Sequence, residues 1–299
     1  MNIFLLYFTG TYNTRFVTNK LRESLEKEGC TVTTYEIDPL NEEKLDFTPY
    51  DIVGLGHPIY GFATPWPFLR FVRKQKFPEG KRVFIYKNSG ESYHENDASS
   101  KFVLKKLRKD KVKIENEYHF CMPYNIHFRY DDYLIKEMFS KNEKLMRILV
   151  YEVLNGIPNL KPYKLWPKVV TTVVAPFQYI AGDVNSFLYK VDMKRCIGCG
   201  LCIKSCPKHN IYKDAKGNIK FHHDCQMCMR CSFYCPVDAF NIGFLDDWGW
   251  RVNGGYNFKK IESLQVEKPI ITSETEGFFE CFKEKFENID KRYNELFEQ

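Results

Sequence analysis

Eight of the eleven cysteines fall into two runs of one spacing, Cys196-Ile-Gly-Cys199-Gly-Leu-Cys202-Ile-Lys-Ser-Cys206-Pro207 and Cys225-Gln-Met-Cys228-Met-Arg-Cys231-Ser-Phe-Tyr-Cys235-Pro236. Thiolates two residues apart on a tight loop turn inward on one centre, which is the ligand chemistry of cubane 4Fe-4S clusters. Pro207 and Pro236 end each run and remove a backbone donor. Paired Cys-x2-Cys groups also hold zinc. Zinc would take four sulfurs from two pairs, and the third evenly spaced cysteine and the trailing Cys-Pro fit that poorly. A disulfide framework requires an oxidising compartment and usually a short secreted chain. The scattered Cys30, Cys121 and Cys281 read as small buried hydrophobes.

A second stretch carries anion chemistry. Residues 2–8 are nearly all apolar and read as a strand buried on both faces. Thr9-Gly10-Thr11-Tyr12-Asn13-Thr14 follows, then a helix with Val17, Leu21 and Leu25 on one face, stopped by Gly29. Hydroxyls and backbone N–H groups at a helix N-terminus form a ready anion site. No Gly-Lys-Ser/Thr follows, so this is not a Walker loop, and no G-x-G-x-x-G follows a strand. An ordinary helix cap is the plainer reading of the same residues.

The elements that must position these loops alternate. Further strands are expected at 31–37, 51–56 and 82–87, and helices at 65–75 and 97–109. That order predicts a doubly wound parallel α/β sheet with right-handed crossovers. Such sheets bind ligands beyond the carboxyl ends of their strands. Two more loops belong there: Pro58, Ile59, Tyr60, Gly61 and Phe62 after the third strand, and Asn88, Ser89, Gly90 and Glu91 after the fourth. His57 before Pro58 reads as a turn cap ahead of a proton donor.

The doubled cysteine run resembles that of bacterial-type ferredoxins. The resemblance implies two 4Fe-4S clusters in a small α+β domain, with the last cysteine of each run serving the other cluster. Cys196, Cys199, Cys202 and Cys235 would hold one cluster, and Cys225, Cys228, Cys231 and Cys206 the second. The first loop is similar to the flavodoxin phosphate loop, Ser/Thr-x-Thr-Gly-x-Thr, with Thr9, Thr11, Asn13 and Thr14 matching and Tyr12 standing where flavodoxins favour glycine. That likeness implies FMN, sheet order 2-1-3-4-5, an aromatic (Tyr60 or Phe62) against the flavin, and residues 88–91 beside its ring edge. The whole arrangement resembles the flavodoxin–ferredoxin fusion family. Expected boundaries are 1–123 for the flavodoxin-like FMN domain, 124–189 for a helical spacer, 190–243 for the ferredoxin domain and 244–299 for an extension ending in a docked helix.

In the spacer, Leu134, Met138, Leu145, Ile148, Leu149 and Val153 form a helical stripe, and a second helix bent at Pro176 is expected to follow. Its aromatics Tyr124, Phe128, Tyr130, Tyr133, Tyr163 and Trp166 either pack or line a pocket. A hairpin is expected around Lys216-Gly217-Asn218. Ser273 and Glu276 resemble a capping box ahead of a helix bearing Phe282, Phe286, Ile289 and Tyr293.

The 299 residues suit two domains, and 44 basic against 38 acidic residues give a formal charge of +6. Eight thiolates on two oxidised clusters would remove about four units, and a flavin phosphate about two more. The loaded chain is near neutral, so the basic excess is no argument for nucleic acid. The longest uncharged stretch, residues 169–182, is too short to span a membrane. Without a basic n-region or cleavage site at the start, a reducing, cytoplasmic location is expected. The functional expectation is an electron carrier joining FMN to two clusters, with a redox protein such as ferredoxin or an oxidoreductase as partner. The alternative is a flavin-dependent reductase of a bound small substrate fed through the clusters. No catalytic residue and no oligomeric state are assigned.

Overall fold

The structure is a computed structural model describing residues 1–41, 43–249, 251–266 and 268–298. Its first unit is built on β1 (Asn2–Tyr7), α1 (Asn13–Lys27), β2 (Thr31–Glu36), β3 (Ile52–Pro58), α2 (Trp66–Lys74), β4 (Arg82–Ser89), α3 (Lys101–Lys109) and β5 (Lys113–Cys121). The five strands are parallel in the order β2-β1-β3-β4-β5, the doubly wound arrangement of flavodoxins. β1 and β3 are apolar on both faces because helices cover both. In β3, Gly54 and Gly56 leave room for the rings of Phe84 and Tyr86, which a Cβ would strike.

β5 has no apolar run. Its polar groups are paired instead: Arg82 to Glu115 at 2.7 Å, Lys87 to Glu117 at 2.9 Å, and the Tyr118 hydroxyl to Glu152 at 2.8 Å. The backbone N–H groups of Asn159 and Leu160 donate to Glu115, so a following segment covers the sheet edge.

α4 (Asp132–Leu154) carries the expected stripe and packs on α1 and β5. It thus forms a layer of the α/β body, which continues past residue 123 to Leu154. α2 and α3 cover the opposite face. α5 (Leu165–Ser186) contains Pro176 in its interior. Its small or polar residues Thr171, Ala175, Gly182, Asn185 and Ser186 are buried, whereas Phe177, Ile180 and Val184 point outward.

The second unit comprises β6 (Tyr189–Val191), α6 (Leu201–Ser205), β7 (Ile211–Lys213), β8 (Ile219–Phe221), α7 (Arg230–Phe233) and β9 (Phe240–Ile242). β7 and β8 form the expected hairpin, and β6 pairs with β9. α8 (Phe244–Asp247), α9 (Phe258–Glu262) and α10 (Cys281–Phe297) follow. α10 buries Phe282, Phe286, Ile289 and Tyr293 beside α4. The capping box does not form. A 3-10 turn at Gly277–Glu280 precedes α10, and Glu280, the residue before its first turn, makes no side-chain cap. No helix among the described residues is long and apolar enough to cross a membrane.

Candidate redox site

The two cysteine runs share a backbone. Gly198 and Gly200 in the first run have φ of 69° and 71°, and Met227 and Met229 at the matching places in the second have 52° and 59°. Glycine meets this left-handed requirement without strain. Met229 meets it with a side chain that fills the local core, where it is 5 % exposed. After each run, the backbone N–H four residues past the last cysteine donates to its sulfur, Asn210 to Cys206 and Ala239 to Cys235, both at 3.3 Å. Met227 N–H donates to Cys225 sulfur at 3.4 Å. Such bonds tune a bound cluster.

Burial pushes Cys225 up to about 12, and the neighbouring Cys228 and Cys206 add to it. Burial raises Cys228 and Cys231 as well, again with Cys206 as a contributor. Cys202 is pushed up to about 11 by burial, with Cys196 and Cys199 beside it. Cys206 lines the same enclosed space as Cys225, Cys228 and Cys231, so it stands among the cysteines of the second run, across the sequence from its own. A donor set of buried, mutually repelling thiols is costly as thiolates without metal, and it fits a polynuclear iron centre that takes up their charge.

The three α/β loops also meet. Thr14 Oγ1 donates to Asn88 Oδ1 at 2.8 Å, and Ile59 N–H donates to the Asn88 carbonyl at 2.8 Å. Tyr60 reaches Gly10, and a Cβ there would strike its hydroxyl. Thr9 Oγ1 and the Tyr60 hydroxyl are buried without hydrogen-bond partners. Among the described residues, the backbone N–H groups of Gly10, Thr11 and Tyr12 have no acceptor. An orphaned hydroxyl beside free N–H groups at the start of α1 fits a phosphate, so these residues fit the phosphate end of FMN.

Tyr12 takes the left-handed conformation itself, with φ of 71°. Its ring lies 4.4 Å from Arg15, 4.6 Å from Arg230 and 5.5 Å from Tyr234, which offsets the strain. Asn13 Nδ2 donates to the Pro123 carbonyl, and Asn125 Nδ2 donates to Thr11 Oγ1 at 2.7 Å.

Other expected contributors point elsewhere. Ser89 Oγ pairs with His119, Glu91 accepts from Asn96 Nδ2 at 2.9 Å, and the Gly90 carbonyl accepts from Tyr130. Their polar groups brace the loop. Pro58 is buried, Phe62 is half-buried and Gly61 is exposed against α5. His57 is fully buried between the Pro58 carbonyl and Ser100, and burial lowers it to about 4, which keeps it neutral. Tyr124, Phe128 and Tyr130 pack with Phe278, and Tyr163 binds Glu117.

The two units touch at this site. The Cys228 carbonyl and Cβ lie 3.2 and 3.3 Å from where a Gly10 Cβ would stand. α5 braces both sides: Thr171 Oγ1 donates to the Phe62 carbonyl at 2.9 Å, and Asp183 Oδ1 accepts from Cys225 N–H at 2.9 Å. A Cβ on Gly182 would strike the Cys225 carbonyl. Gly182→Ala should therefore displace Cys225 and destabilise the chain by about 1–3 kcal/mol, the usual cost of overpacking. Lower iron content and melting temperature would register it; an unchanged iron content would show that α5 does not position this cysteine.

Sequence reading missed Arg230 and Tyr234. Arg230 donates to the Thr9 and Ser205 carbonyls at 2.8 and 3.0 Å and to the Gly10 carbonyl, and Tyr234 donates to the Thr11 carbonyl at 2.9 Å. Only their place between ligand cysteines could have marked them.

Known proteins are similar to parts of this chain. The family model of a 4Fe-4S binding domain matches residues 189–212. The chain is 36 % identical over 59 residues to pyruvate synthase subunit PorD of Methanocaldococcus jannaschii, covering 69 % of that protein and 19 % of this chain. It is 38 % identical over 56 residues to an uncharacterized ferredoxin of the same organism, covering 73 % and 17 %. Among solved structures, a short-chain flavodoxin associated with a bacterial microcompartment aligns over 52 % of this chain and 99 % of its own, at 19 % identity and a TM-score of 0.40. The fold of the first unit rests on its own strand order. By its cysteine-bearing unit the chain belongs to the 4Fe-4S ferredoxin family, as a fusion in which a flavodoxin-like domain precedes the ferredoxin.

Proposed function

We propose that the chain passes electrons between FMN, held by residues 9–14, 58–62 and 88–91, and two 4Fe-4S clusters held by the eight run cysteines. The observation that carries this reading is the contact of Cys228 with Gly10, which puts a cluster-ligand loop against the flavin-phosphate loop. When bound, FMN supplies one- or two-electron chemistry and each cluster one-electron chemistry.

The protein's own residues set the arrangement. Cys228 is buried at the junction, while Cys199 is exposed, with Ile197 65 % exposed beside it. The first run is therefore the face offered to an outside redox protein, such as a ferredoxin or an oxidoreductase of the cytoplasm. Its apolar rim suits a transient apolar contact. The N–H···S bonds at Cys225, Cys206 and Cys235 would tune a bound cluster.

A second reading, reduction of a small substrate, draws on a cleft of about 400 Å³ lined by Trp66, Arg70, Tyr179, Asp183, Lys208 and Asp224. Cavities of that size take small ligands. Anaerobic reconstitution followed by redox titration with paramagnetic spectroscopy tests the main reading. Two cubane signals and bound FMN are expected. A colourless protein without iron, sulfide or flavin would end it. Turnover of a small substrate with a reduced low-potential donor would favour the reductase.

A further inference from the structure

We propose that Arg230 and Tyr234 of the ferredoxin unit are positioning residues for the flavin phosphate, so that the cluster-bearing unit builds part of the FMN site. This rests on the flavin reading above. Arg230 precedes Cys231 and Tyr234 precedes Cys235, and both act on the backbone of the other unit. Arg230 donates to the carbonyls of Thr9 and Gly10, and Tyr234 to that of Thr11. Three successive peptide groups are thus held by their oxygens.

The consequence follows from peptide geometry. The chain has no cis peptide bond among its described residues, and in a trans peptide the C=O and N–H point in opposite directions. Holding the oxygens of Thr9, Gly10 and Thr11 toward the ferredoxin unit turns the N–H groups of Gly10, Thr11 and Tyr12 away from it. These are the donors that lack an acceptor, and Thr9 Oγ1 is the orphaned hydroxyl in the same loop. Such a concave set of N–H groups binds anions. The loop's ties within its own unit, Asn125 Nδ2 to Thr11 Oγ1 and Asn13 Nδ2 to the Pro123 carbonyl, hold side chains and leave these peptide oxygens to Arg230 and Tyr234.

Arg230 is 7 % exposed, and no carboxylate pairs with it among the described residues. Its third carbonyl, that of Ser205, adjoins Cys206. Arg230 therefore ties the phosphate loop to backbone on both sides of the second cluster's ligand set. Ring contact with Tyr12 at 4.6 Å completes its surroundings.

The test compares FMN with riboflavin, which lacks the phosphate, by fluorescence titration of cluster-loaded, flavin-depleted full-length protein. Wild type should prefer FMN. Arg230→Met should weaken FMN about 10- to 100-fold, the loss of one or two charge-assisted hydrogen bonds, and leave riboflavin unchanged. Arg230→Lys should restore part of the difference. Tyr234→Phe, which deletes one hydroxyl, should weaken FMN several-fold with full iron content. Equal losses for both flavins would assign the residues to packing alone and overturn the proposal. An unchanged FMN affinity in both variants would also overturn it, while wild-type binding survives. A wild type that binds neither flavin would instead bring down the flavin reading itself.

Discussion

Cys206→Ser should remove the second cluster and leave the first. About half of the iron and sulfide should be lost, since each cubane carries four of each. The reason is that Cys206 lines the same enclosed space as Cys225, Cys228 and Cys231 of the second run. Serine keeps the shape, but its hydroxyl does not supply the thiolate that cluster assembly requires. The surviving paramagnetic signal should match that of Cys228→Ser and differ from that of Cys199→Ser. If it matched Cys199→Ser, each run would hold its own cluster and the crossed assignment would fail. The loss should also be felt at Gly10, because Cys228 leans on it.

Lys87→Met should be the most destabilising single change in the α/β unit, by about 3–5 kcal/mol, because it leaves a buried carboxylate unpaired. Lys87 Nζ lies 2.9 Å from Glu117 and donates to the Asn96 and Asp97 carbonyls, and it is 3 % exposed. Burial drives the Glu117 carboxyl upward, but Lys87 and hydrogen bonds from Ser100 and Tyr163 outweigh it and hold it below its usual range. A carboxylate held low adds stability above its unfolded pKa, and that stability is lost as pH falls through the folded value. Without Lys87 burial prevails and the folded pKa rises above the unfolded one, so the variant's deficit should widen from about pH 6 to about pH 8. Chemical denaturation of cluster-loaded protein at the two pH values measures it. A deficit independent of pH would show that Glu117 is not the group left uncompensated.

The same residues show why β5 was not located from its own pattern. Lys113–Cys121 alternates charge, amide and aromatic residues and contains no apolar run, yet Glu115, Asn116 and His119 are all buried. Their partners outside β5 lie on β4 and in the segment after α4. A local pattern registers side-chain polarity but not the distant group that neutralises it. The stripe on α4 was legible for the converse reason, since one apolar face needs only one covered side. What it would cover, α1 and β5, depended on the path of the chain. α5 is a related case: its periodicity was plain, but the small residues face the body and the large ones face outward.

Ligand identity was local information. Two-residue gaps, a trailing Cys-Pro and a hydroxyl-rich turn after an apolar strand are short-range features, and covalent geometry limits what each can bind. The amino-acid order by itself therefore determined the α/β class and the ferredoxin-type cysteine pattern, and it marked the residues proposed as cluster ligands and anion loop. Tertiary structure alone decided that Tyr12 can stand in a left-handed position, and that Arg230 and Tyr234 reach across to the carbonyls of residues 9–11. Those facts join positions up to 223 residues apart in the chain, and a contact at that separation exists only once both units have folded and packed.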